Sequence, residues 1–191
     1  MQVRERKDTV RRLTLARRGR LDAAEREARA ERLIERLLAM PEVAEAERVL
    51  AFVSVRSEVP TGRLLQAVLA SGSVLLLPYV ADDGALQAAE VESLDELEPG
   101  YRGIPEPRSR FALHPAEASV IVLPGVAFDE RGRRLGHGGG FYDAFLRESP
   151  VVPRIGICFE VQVVPEVPVE PHDERVDAVV TENRVIRCAR A

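Results

Sequence analysis

The segment from residue 122 to residue 146 contains the residues best suited to chemistry. It reads VLPGVAFDERGRRLGHGGGFYDAFL, with Arg133 and Arg134 ahead of four glycines between positions 136 and 140. Glycines let a backbone approach an anion closely, N–H groups at a helix N-terminus attract negative charge, and arginine adds a fork of donors for phosphate oxygens. The pattern predicts a phosphate cradle, for which a flexible turn is the alternative.

This predicted cradle differs from the common nucleotide-binding fingerprints. No Gly-Lys-Ser/Thr closes it, and Gly136, Gly138 and Gly140 lack the final offset of Gly-x-Gly-x-x-Gly. A predicted strand precedes the segment and a predicted helix follows it, and such switch points are where α/β sheets bind ligands. The position therefore favours ligand binding over a plain turn.

Three acidic residues are candidate metal ligands. Asp143 lies in the predicted first turn of the helix after the glycines, whereas Asp173 and Asp177 lie in a polar loop that enters a strand. Magnesium on nucleotide phosphates typically uses one or two carboxylates. An acid in a first turn also stabilises the helix dipole, and loop acids are common on surfaces. The residues alone leave both roles open.

Lys7 is the single lysine of a chain that has 26 arginines. A lysine that survives such a bias is a candidate ammonium ligand, although chance near a terminus is the alternative. It shares a helix face with Arg11 in a basic helix predicted over residues 4–18. Residues 1–20 carry eight basic and two acidic side chains, but such runs are usually solvated faces, and no aromatic residues interleave. We therefore expect no nucleic-acid partner.

Alternating helices and apolar runs predict the scaffold for these residues. Asp22 and Glu25 form a capping box for a second helix that Pro41 ends, and Thr61 begins a helix through Ala70. The predicted strands span residues 48–55, 74–80, 119–123, 155–159, 178–181 and 185–188. Strands joined through helices predict a mainly parallel sheet buried on both faces. Prolines and glycines predict a loop at 93–110.

Length and composition set limits on the class of protein. The 191 residues suit one domain, 1–191, and the formal net charge of −4 gives no overall attraction to nucleic acid. No apolar run is long enough to cross a bilayer or to serve as an export signal, so we expect a cytoplasmic protein without a membrane partner. Cys158 and Cys188 form no Cys-x-x-Cys pair and are predicted to be buried hydrophobes.

The glycine-rich segment resembles the 5-formyltetrahydrofolate cyclo-ligase family. The family's Pro-Gly, Phe-Asp, Gly-x-Arg-Leu-Gly and Gly-aromatic-Tyr-Asp motifs stand here at residues 124–125, 128–129, 132–136 and 140–143. Weaker matches occur in the family's order and spacing at Lys7 with Arg11, Ser54 with Glu58 and Val59, and Leu77 with Pro78. The resemblance therefore covers most of the chain, although only the glycine-rich block is highly specific.

The resemblance implies a three-layer α/β/α single domain and a Mg²⁺-dependent, ATP-driven reaction. That reaction closes 5-formyltetrahydrofolate to 5,10-methenyltetrahydrofolate and releases ADP and phosphate, in a protein expected to be a monomer. Such chemistry needs positioning and charge neutralisation more than a protein nucleophile. One alternative is a non-catalytic folate- or nucleotide-binding protein of the same fold. Another, a sugar-phosphate isomerase of similar architecture, is disfavoured because no acid/base pair stands beside the glycines.

The resemblance also implies roles for individual residues. Arg134 and Asp143 are the implied catalytic residues, and Asp143 and Asp173 the implied magnesium ligands. The implied ATP-binding residues are Lys7, Arg11, Arg134, Leu135, Gly136, His137, Gly138, Gly139, Gly140, Phe141 and Tyr142. The implied substrate-binding residues are Val53, Glu58, His137, Gly138, Gly139, Gly140 and Phe141. Three of these depart from the family pattern: Phe141 stands where many relatives have Tyr, His137 where Tyr or Arg is often found, and Gly139 where some relatives have Lys.

Overall fold

A computed structural model describes residues 2–189 and contains helices and strands in alternation; residues 1, 190 and 191 of the predicted domain lie outside that range. The α-helices are α1 (Val3–Arg18), α2 (Ala23–Leu38), α3 (Pro41–Ala44), α4 (Gly62–Ser71) and α5 (Phe141–Arg147). The strands are β1 (Arg48–Leu50), β2 (Val74–Val80), β3 (Leu86–Val91), β4 (Leu97–Pro99), β5 (Pro105–Pro107), β6 (Val120–Leu123), β7 (Ala127–Phe128), β8 (Arg134–Leu135), β9 (Arg154–Ile157), β10 (Ala178–Val180) and β11 (Val185–Arg187).

Seven strands form the central sheet in the order β11-β10-β9-β6-β1-β2-β3. The five inner strands pair in parallel, and the edge strands β3 and β11 pair antiparallel. The order reverses at β1, because the chain first adds β2 on one side and later β6 on the other. The carboxyl ends of β1 and β6 therefore flank a switch point, the usual ligand site of such sheets.

Side chains that alternate along the inner strands build a core on each face of the sheet. Val49 packs on the face covered by α2 and α4, whereas Leu50 packs on the opposite face with Phe128 and the α5 residue Phe145. Inner parallel strands must be covered on both sides, which explains their unbroken apolar runs. The predicted mainly parallel three-layer fold is confirmed.

Local signals set the bounds of α2 and α4. The Asp22 carboxylate accepts a hydrogen bond from the Glu25 amide, and the Glu25 side chain accepts one from the Asp22 amide, so the predicted capping box is present. Leu33, one of the apolar positions that repeat along α2, is fully buried. α4 ends at Gly72, whose φ of +83° is a conformation that glycine adopts at little cost.

Strand β1 is shorter than predicted. It ends at Leu50 rather than at residue 55. The hydroxyl of Thr61 donates to the carbonyl of Phe52 at 2.8 Å and accepts from the amide of Ser54 at 3.0 Å. These bonds satisfy the backbone locally, so residues 52–55 leave the sheet, whereas the amide of Ala51 still donates to the carbonyl of Leu76 in β2 at 3.0 Å.

The prediction of a plain loop at residues 93–110 is wrong in part. The short strands β4 and β5 pair antiparallel there, and prolines are tolerated because neither strand has a further neighbour in its two-stranded sheet. Buried Glu106 organises the segment, since its Oε1 accepts from the amides of Val80 at 3.2 Å and Tyr101 at 3.1 Å. The segment is therefore tied to the sheet.

The two cysteines differ in environment. Cys158 is buried and Cys188 is half-buried, so the prediction of two buried thiols holds for Cys158 and only in part for Cys188. Burial raises the pKa of the Cys158 thiol, and burial together with nearby carboxylates raises the pKa of Cys188 to about 11. Within residues 2–189, no helix has both the length and the apolar character needed to cross a bilayer.

Candidate active site

The glycine turn, residues 136–140, lies between the β7–β8 hairpin and helix α5. Gly138 has a φ of +102° and Gly140 a φ of +69°, both in the region that favours glycine. A Cβ on Gly139 would lie 2.8 Å from the Phe141 ring, so a side chain there would displace that ring. These glycines are required by the turn itself, and they leave its backbone exposed for a ligand.

Asp129 fixes the hairpin that carries the glycine turn. Its carboxylate is buried and accepts from the amides of Arg131 at 3.0 Å, Arg133 at 3.1 Å and Val167 at 3.0 Å. A carboxylate with several amide donors holds a loop in one conformation. The Phe-Asp motif therefore positions the arginines and does not itself reach the turn.

Arg134 and Asp143, the two predicted catalytic residues, are in direct contact. Nη2 of buried Arg134 donates to Oδ1 of Asp143 at 2.8 Å, and the same oxygen accepts from the amide of Glu174 at 3.2 Å. Within residues 2–189 the buried Nε of Arg134 has no hydrogen-bond partner. A Cβ on Gly136 would lie 3.1 Å from Nη1 of Arg134. The guanidinium therefore lies directly against the glycine turn.

Lys7 is bound by two carboxylates. Its Nζ lies 2.6 Å from Oδ2 of Asp173 and 2.7 Å from Oε2 of Glu170. Burial by itself lowers the pKa of Lys7, but the hydrogen bonds and charges of Asp173 and Glu170 outweigh it and raise the pKa above 10.5. The ammonium is charged at neutral pH, and it joins α1 to the loop that contains Asp173.

Arg11 joins the same helix to the glycine turn. Its Nε donates to the carbonyl of Gly136 at 3.0 Å, and its Nη1 donates to Asp8 at 2.5 Å. The four-residue spacing thus places Lys7 and Arg11 on one face of α1, as predicted, with both cations directed at the site.

Leu135 occupies a different environment from the other predicted ATP-binding residues. Its side chain is buried against Ala127, Val164 and Val167, and its carbonyl accepts from the amide of Val126 at 2.7 Å. The side chain and the carbonyl are therefore committed to the core. A contact between Leu135 and a nucleotide would have to come from its remaining backbone atoms.

Glu58 and His137 bring the predicted substrate residues next to the glycine turn. Nε2 of His137 lies 3.5 Å from Oε1 of Glu58, and Oε2 of Glu58 accepts from the amide of Val55 at 3.0 Å. Glu58 is 9% exposed. Val53, which lies in the chain between the end of β1 and Glu58, is half-buried. The predicted substrate residues therefore approach the turn from the end of β1.

Two aromatic residues at the start of α5 have distinct surroundings. The Phe141 ring meets Tyr101 edge to face, with centroids 5.6 Å apart, so the 93–110 segment contributes directly to the site. The Arg134 guanidinium lies 5.6 Å from the Tyr142 ring centroid. Burial raises the pKa of the Tyr142 phenol, as does the charge of Glu58, although Arg134 opposes them. The phenol is therefore neutral at physiological pH.

The candidate metal ligands form a group that sequence reasoning only partly anticipated. Ligand atoms of Glu170, His172 and Asp173 lie within 4.8 Å of one another, and Asp143 lies outside this group. Asp177, the other acid considered, accepts instead from the amide of Arg154 at 2.7 Å. The Glu-x-His-Asp spacing was the available signal for Glu170 and His172. Their proximity to Lys7, more than 160 residues away, depends on the fold.

Comparisons with known proteins identify the family of this chain. Residues 3–182 match the family model of the 5-formyltetrahydrofolate cyclo-ligase family. The 5-formyltetrahydrofolate cyclo-ligase of Escherichia coli is 31% identical over 175 residues, covering 88% of this chain and 96% of that protein. The NMR structure of Aquifex aeolicus 5,10-methenyltetrahydrofolate synthetase superposes with a TM-score of 0.87 at 32% identity, covering 97% of this chain and 94% of that one. The chain belongs to the 5-formyltetrahydrofolate cyclo-ligase family.

Proposed function

We propose that this chain closes 5-formyltetrahydrofolate to 5,10-methenyltetrahydrofolate at the glycine turn, with ATP as co-substrate. The activity is that of its family. The observation that carries the site assignment is the contact of buried Arg134 with half-buried Asp143, 2.8 Å apart, directly against the turn. A fixed guanidinium beside exposed backbone amides is suited to an anion whose charge changes during a reaction.

The chemistry explains why ATP is needed. The formyl oxygen is a poor leaving group, so it first takes the γ-phosphoryl group from ATP and ADP is released. N10 of the folate then attacks the activated carbon, the C–O bond breaks, phosphate leaves with the oxygen, and N10 loses its proton. No covalent bond to the protein forms, so positioning and charge neutralisation account for the catalysis.

Different protein groups would bind different parts of the ATP phosphates. Arg134 contacts the transferred phosphoryl group, and the amides of residues 136–140 bind phosphate oxygens. Lys7 and Arg11 supply further positive charge from α1, since both reach this side of the molecule. Neutral Tyr142 packs beside Arg134 and adds no competing negative charge.

Magnesium fits the donors beside the turn because they include carboxylate oxygens, the ligands it prefers. Asp143 and Asp173 would hold the ion, with Glu170 as a further donor within the group around Asp173. When bound, Mg²⁺ neutralises charge on the phosphate oxygens. The contact of Asp143 with the amide of Glu174 supports this assignment. Glu174 follows Asp173 directly in the chain, so the contact brings this part of the loop next to Asp143.

The folate ring would occupy the side of the turn that faces Glu58. The Glu58 carboxylate accepts hydrogen bonds from ring N–H groups, and Val53 and Phe141 provide apolar contact. His137 belongs to the turn, lies 3.5 Å from the Glu58 carboxylate, and would contact the same ligand. Gly138, Gly139 and Gly140 leave space for both ligands to meet.

The proposal extends to domain organisation, oligomeric state and location. One sheet takes strands from residue 48 to residue 187, which supports a single domain over residues 1–191. We expect this domain to work as a monomer in the cytoplasm. Its net charge of −4 supports small anionic ligands held by local cations rather than a nucleic-acid or membrane partner.

The test is a spectroscopic assay of the purified protein. The absorbance of the methenyl product is followed with 5-formyltetrahydrofolate in the presence of Mg²⁺ and ATP, with ADP measured in parallel. We expect one ADP per product and no product when either ATP or Mg²⁺ is omitted. Product without ATP would contradict the proposal. Tight binding of both ligands without product would favour the non-catalytic alternative.

A further inference from the structure

Arg175 is a half-buried cation with no role in the site described above. It follows Asp173 by two residues, in the loop that leads to β10. Its backbone carbonyl accepts from Nη1 of Arg154 at 3.4 Å. Its guanidinium, however, makes no hydrogen bond and no ion pair with any residue between 2 and 189. The side chain of Arg175 is therefore available to a ligand.

Two arginines already placed in the site differ from Arg175 in this respect. Nη2 of Arg134 donates to Oδ1 of Asp143 at 2.8 Å. Nε of Arg11 donates to the carbonyl of Gly136 at 3.0 Å. These contacts hold both guanidinium groups at the glycine turn and use part of their donor capacity. Arg175 keeps all of its side-chain donors for a ligand.

The backbone of Arg175 is held in place although its guanidinium is not. Arg175 pairs with Arg133 in an isolated antiparallel bridge beside the β7–β8 hairpin. The side chains before it diverge: that of Glu174 turns to Arg154, with 2.7 Å between the charged atoms, whereas that of Asp173 lines the same cavity as Arg175. The fold therefore presents an acidic and a basic side chain together on one side of this loop.

The cavity that Arg175 lines is open to solvent and has a volume of about 440 Å³. The residues that line it are Val169, Glu170, Pro171, Asp173 and Arg175. Ligand pockets commonly measure about 300–1,000 Å³, so part of a nucleotide fits here. Asp143 is not among the lining residues, so the cavity extends from Asp173 away from the Arg134–Asp143 contact.

The charges around this cavity balance until a divalent cation is added. The carboxylates of Glu170 and Asp173 face the positive charges of Lys7 and Arg175. Mg²⁺ on Asp173 would make the total positive, which suits phosphate groups. Lys7 already contacts both carboxylates, so the uncommitted donors are those of Arg175. The planar fork of a guanidinium binds two phosphate oxygens at once.

We propose that Arg175 binds the β-phosphate of the nucleotide, which ADP retains after phosphoryl transfer. The identity of the ligand rests on the proposed function, in which the γ-phosphate lies at the glycine turn and Asp143 and Asp173 hold the metal. Because the metal bridges the β- and γ-phosphates in such reactions, the β-phosphate lies on the Asp173 side, next to the cavity. A cation there binds ATP and ADP alike, so it lowers the KM for ATP without accelerating the transfer.

The experiment compares the binding of ADP and AMP, with Mg²⁺ and without folate. Calorimetric titration measures both Kd values for the parent, Arg175→Met, Arg175→Lys and Arg131→Met. Arg131 is the matched control, because it is an exposed arginine in the turn of the neighbouring hairpin and its loss changes the net charge equally. Arg175→Lys keeps the charge but not the planar fork. Thermal melts, and the Kd of 5-formyltetrahydrofolate, establish that each variant is folded with an intact substrate site.

We expect Arg175→Met to raise the Kd of ADP about tenfold and Arg175→Lys to raise it less, while the Kd of AMP stays within about threefold. Arg131→Met should match the parent for both nucleotides. In the absorbance assay, Arg175→Met should raise the KM for ATP by a similar factor and leave kcat within about threefold.

An unchanged Kd of ADP in folded Arg175→Met, or an equal rise for ADP and AMP, would overturn the inference. ADP binding that depends on Arg175, in a parent that forms no ATP-dependent product, would support the role of Arg175 and contradict the proposed function. Product formation with the same KM for ATP in the parent and Arg175→Met would contradict the role of Arg175 and leave the proposed function standing.

Discussion

Arg134 and Asp143 illustrate how two residues of opposite charge depend on each other. Arg134 is buried and lies 2.8 Å from Asp143, which also accepts from the Glu174 amide. Arg134→Ala removes the guanidinium that faces the glycine turn, and Asp143→Ala leaves that guanidinium without its counter-charge. The effect should therefore fall on turnover more than on the folding of the whole chain.

We predict that Arg134→Ala and Asp143→Ala each lower kcat about 10²-fold, which corresponds to about 2.7 kcal/mol of transition-state stabilisation. The measurement is the absorbance assay at saturating ATP and folate. Arg131→Ala is the matched control, because Arg131 belongs to the same hairpin and its side chain is exposed. Rates within about threefold of the parent would remove the pair from the mechanism.

Lys7 leads to a prediction about pH and stability. Because the pKa of Lys7 is raised above 10.5, its contribution to the free energy of unfolding is fully present below about pH 10.5 and is lost as the pH rises through the raised value. Lys7→Met should therefore lower Tm at pH 8 by a few degrees, about 1 kcal/mol, and by less near pH 11. Thermal melts of both proteins at the two pH values measure this. A difference that is the same at both would contradict the ion-pair account.

At the scale of elements, the glycine turn acts through its backbone conformation. Gly138 has a φ of +102°, and a Cβ there would meet the nearest Arg11 atom at an ordinary contact distance of 3.7 Å. The cost of a side chain at this position is therefore mainly backbone strain in the segment that binds phosphate. That cost is separable from a general loss of stability.

We predict that Gly138→Ala raises the KM for ATP by about tenfold, since strain of about 1–2 kcal/mol shifts the turn away from its binding conformation. Gly84→Ala is the matched control. Gly84 also has a positive φ, +83°, but it lies in the turn between β2 and β3 with open space around its Cβ position. Both variants should lose similar stability, and only Gly138→Ala should change the KM. Equal KM values in the two variants would contradict the role of the turn.

Local patterns predicted the elements whose stabilising contacts are local. The capping box of α2 and the bounds of β2 depend on neighbouring residues, and both are confirmed. β1 was predicted too long because its end depends on the Thr61 hydroxyl. The β4–β5 hairpin was missed because Glu106 ties it to the amide of Val80, which lies outside the hairpin. The same reasoning applies to the site. The glycine turn was visible in sequence, whereas the contact of Lys7 with Glu170 requires the folded chain.

At the scale of the whole molecule, the core and the site are separate. α2 packs on the sheet through fully buried side chains such as Leu33, while the candidate site lies over the carboxyl ends of β1 and β6. Because the sheet positions the site without taking part in the reaction, a weakened core should leave the ligand affinities of the folded protein unchanged.

We predict that Leu33→Ala lowers the free energy of unfolding by about 2–5 kcal/mol, the usual cost of a cavity in a core. Urea denaturation measures the loss, and the KM values for ATP and folate, taken well below the melting temperature, should match the parent. Arg32→Ala, an exposed neighbour on the same helix, is the control and should be close to neutral. A loss below about 1 kcal/mol would show that α2 is not packed as described.

The position of the nucleotide tests the central claim most directly. A crystal structure of the protein with a non-hydrolysable ATP analogue and Mg²⁺ should show the γ-phosphate bound by amides of residues 136–140 and within hydrogen-bond distance of Arg134. The metal should contact Asp143 or Asp173. A triphosphate bound elsewhere, with the glycine turn empty, would contradict the account.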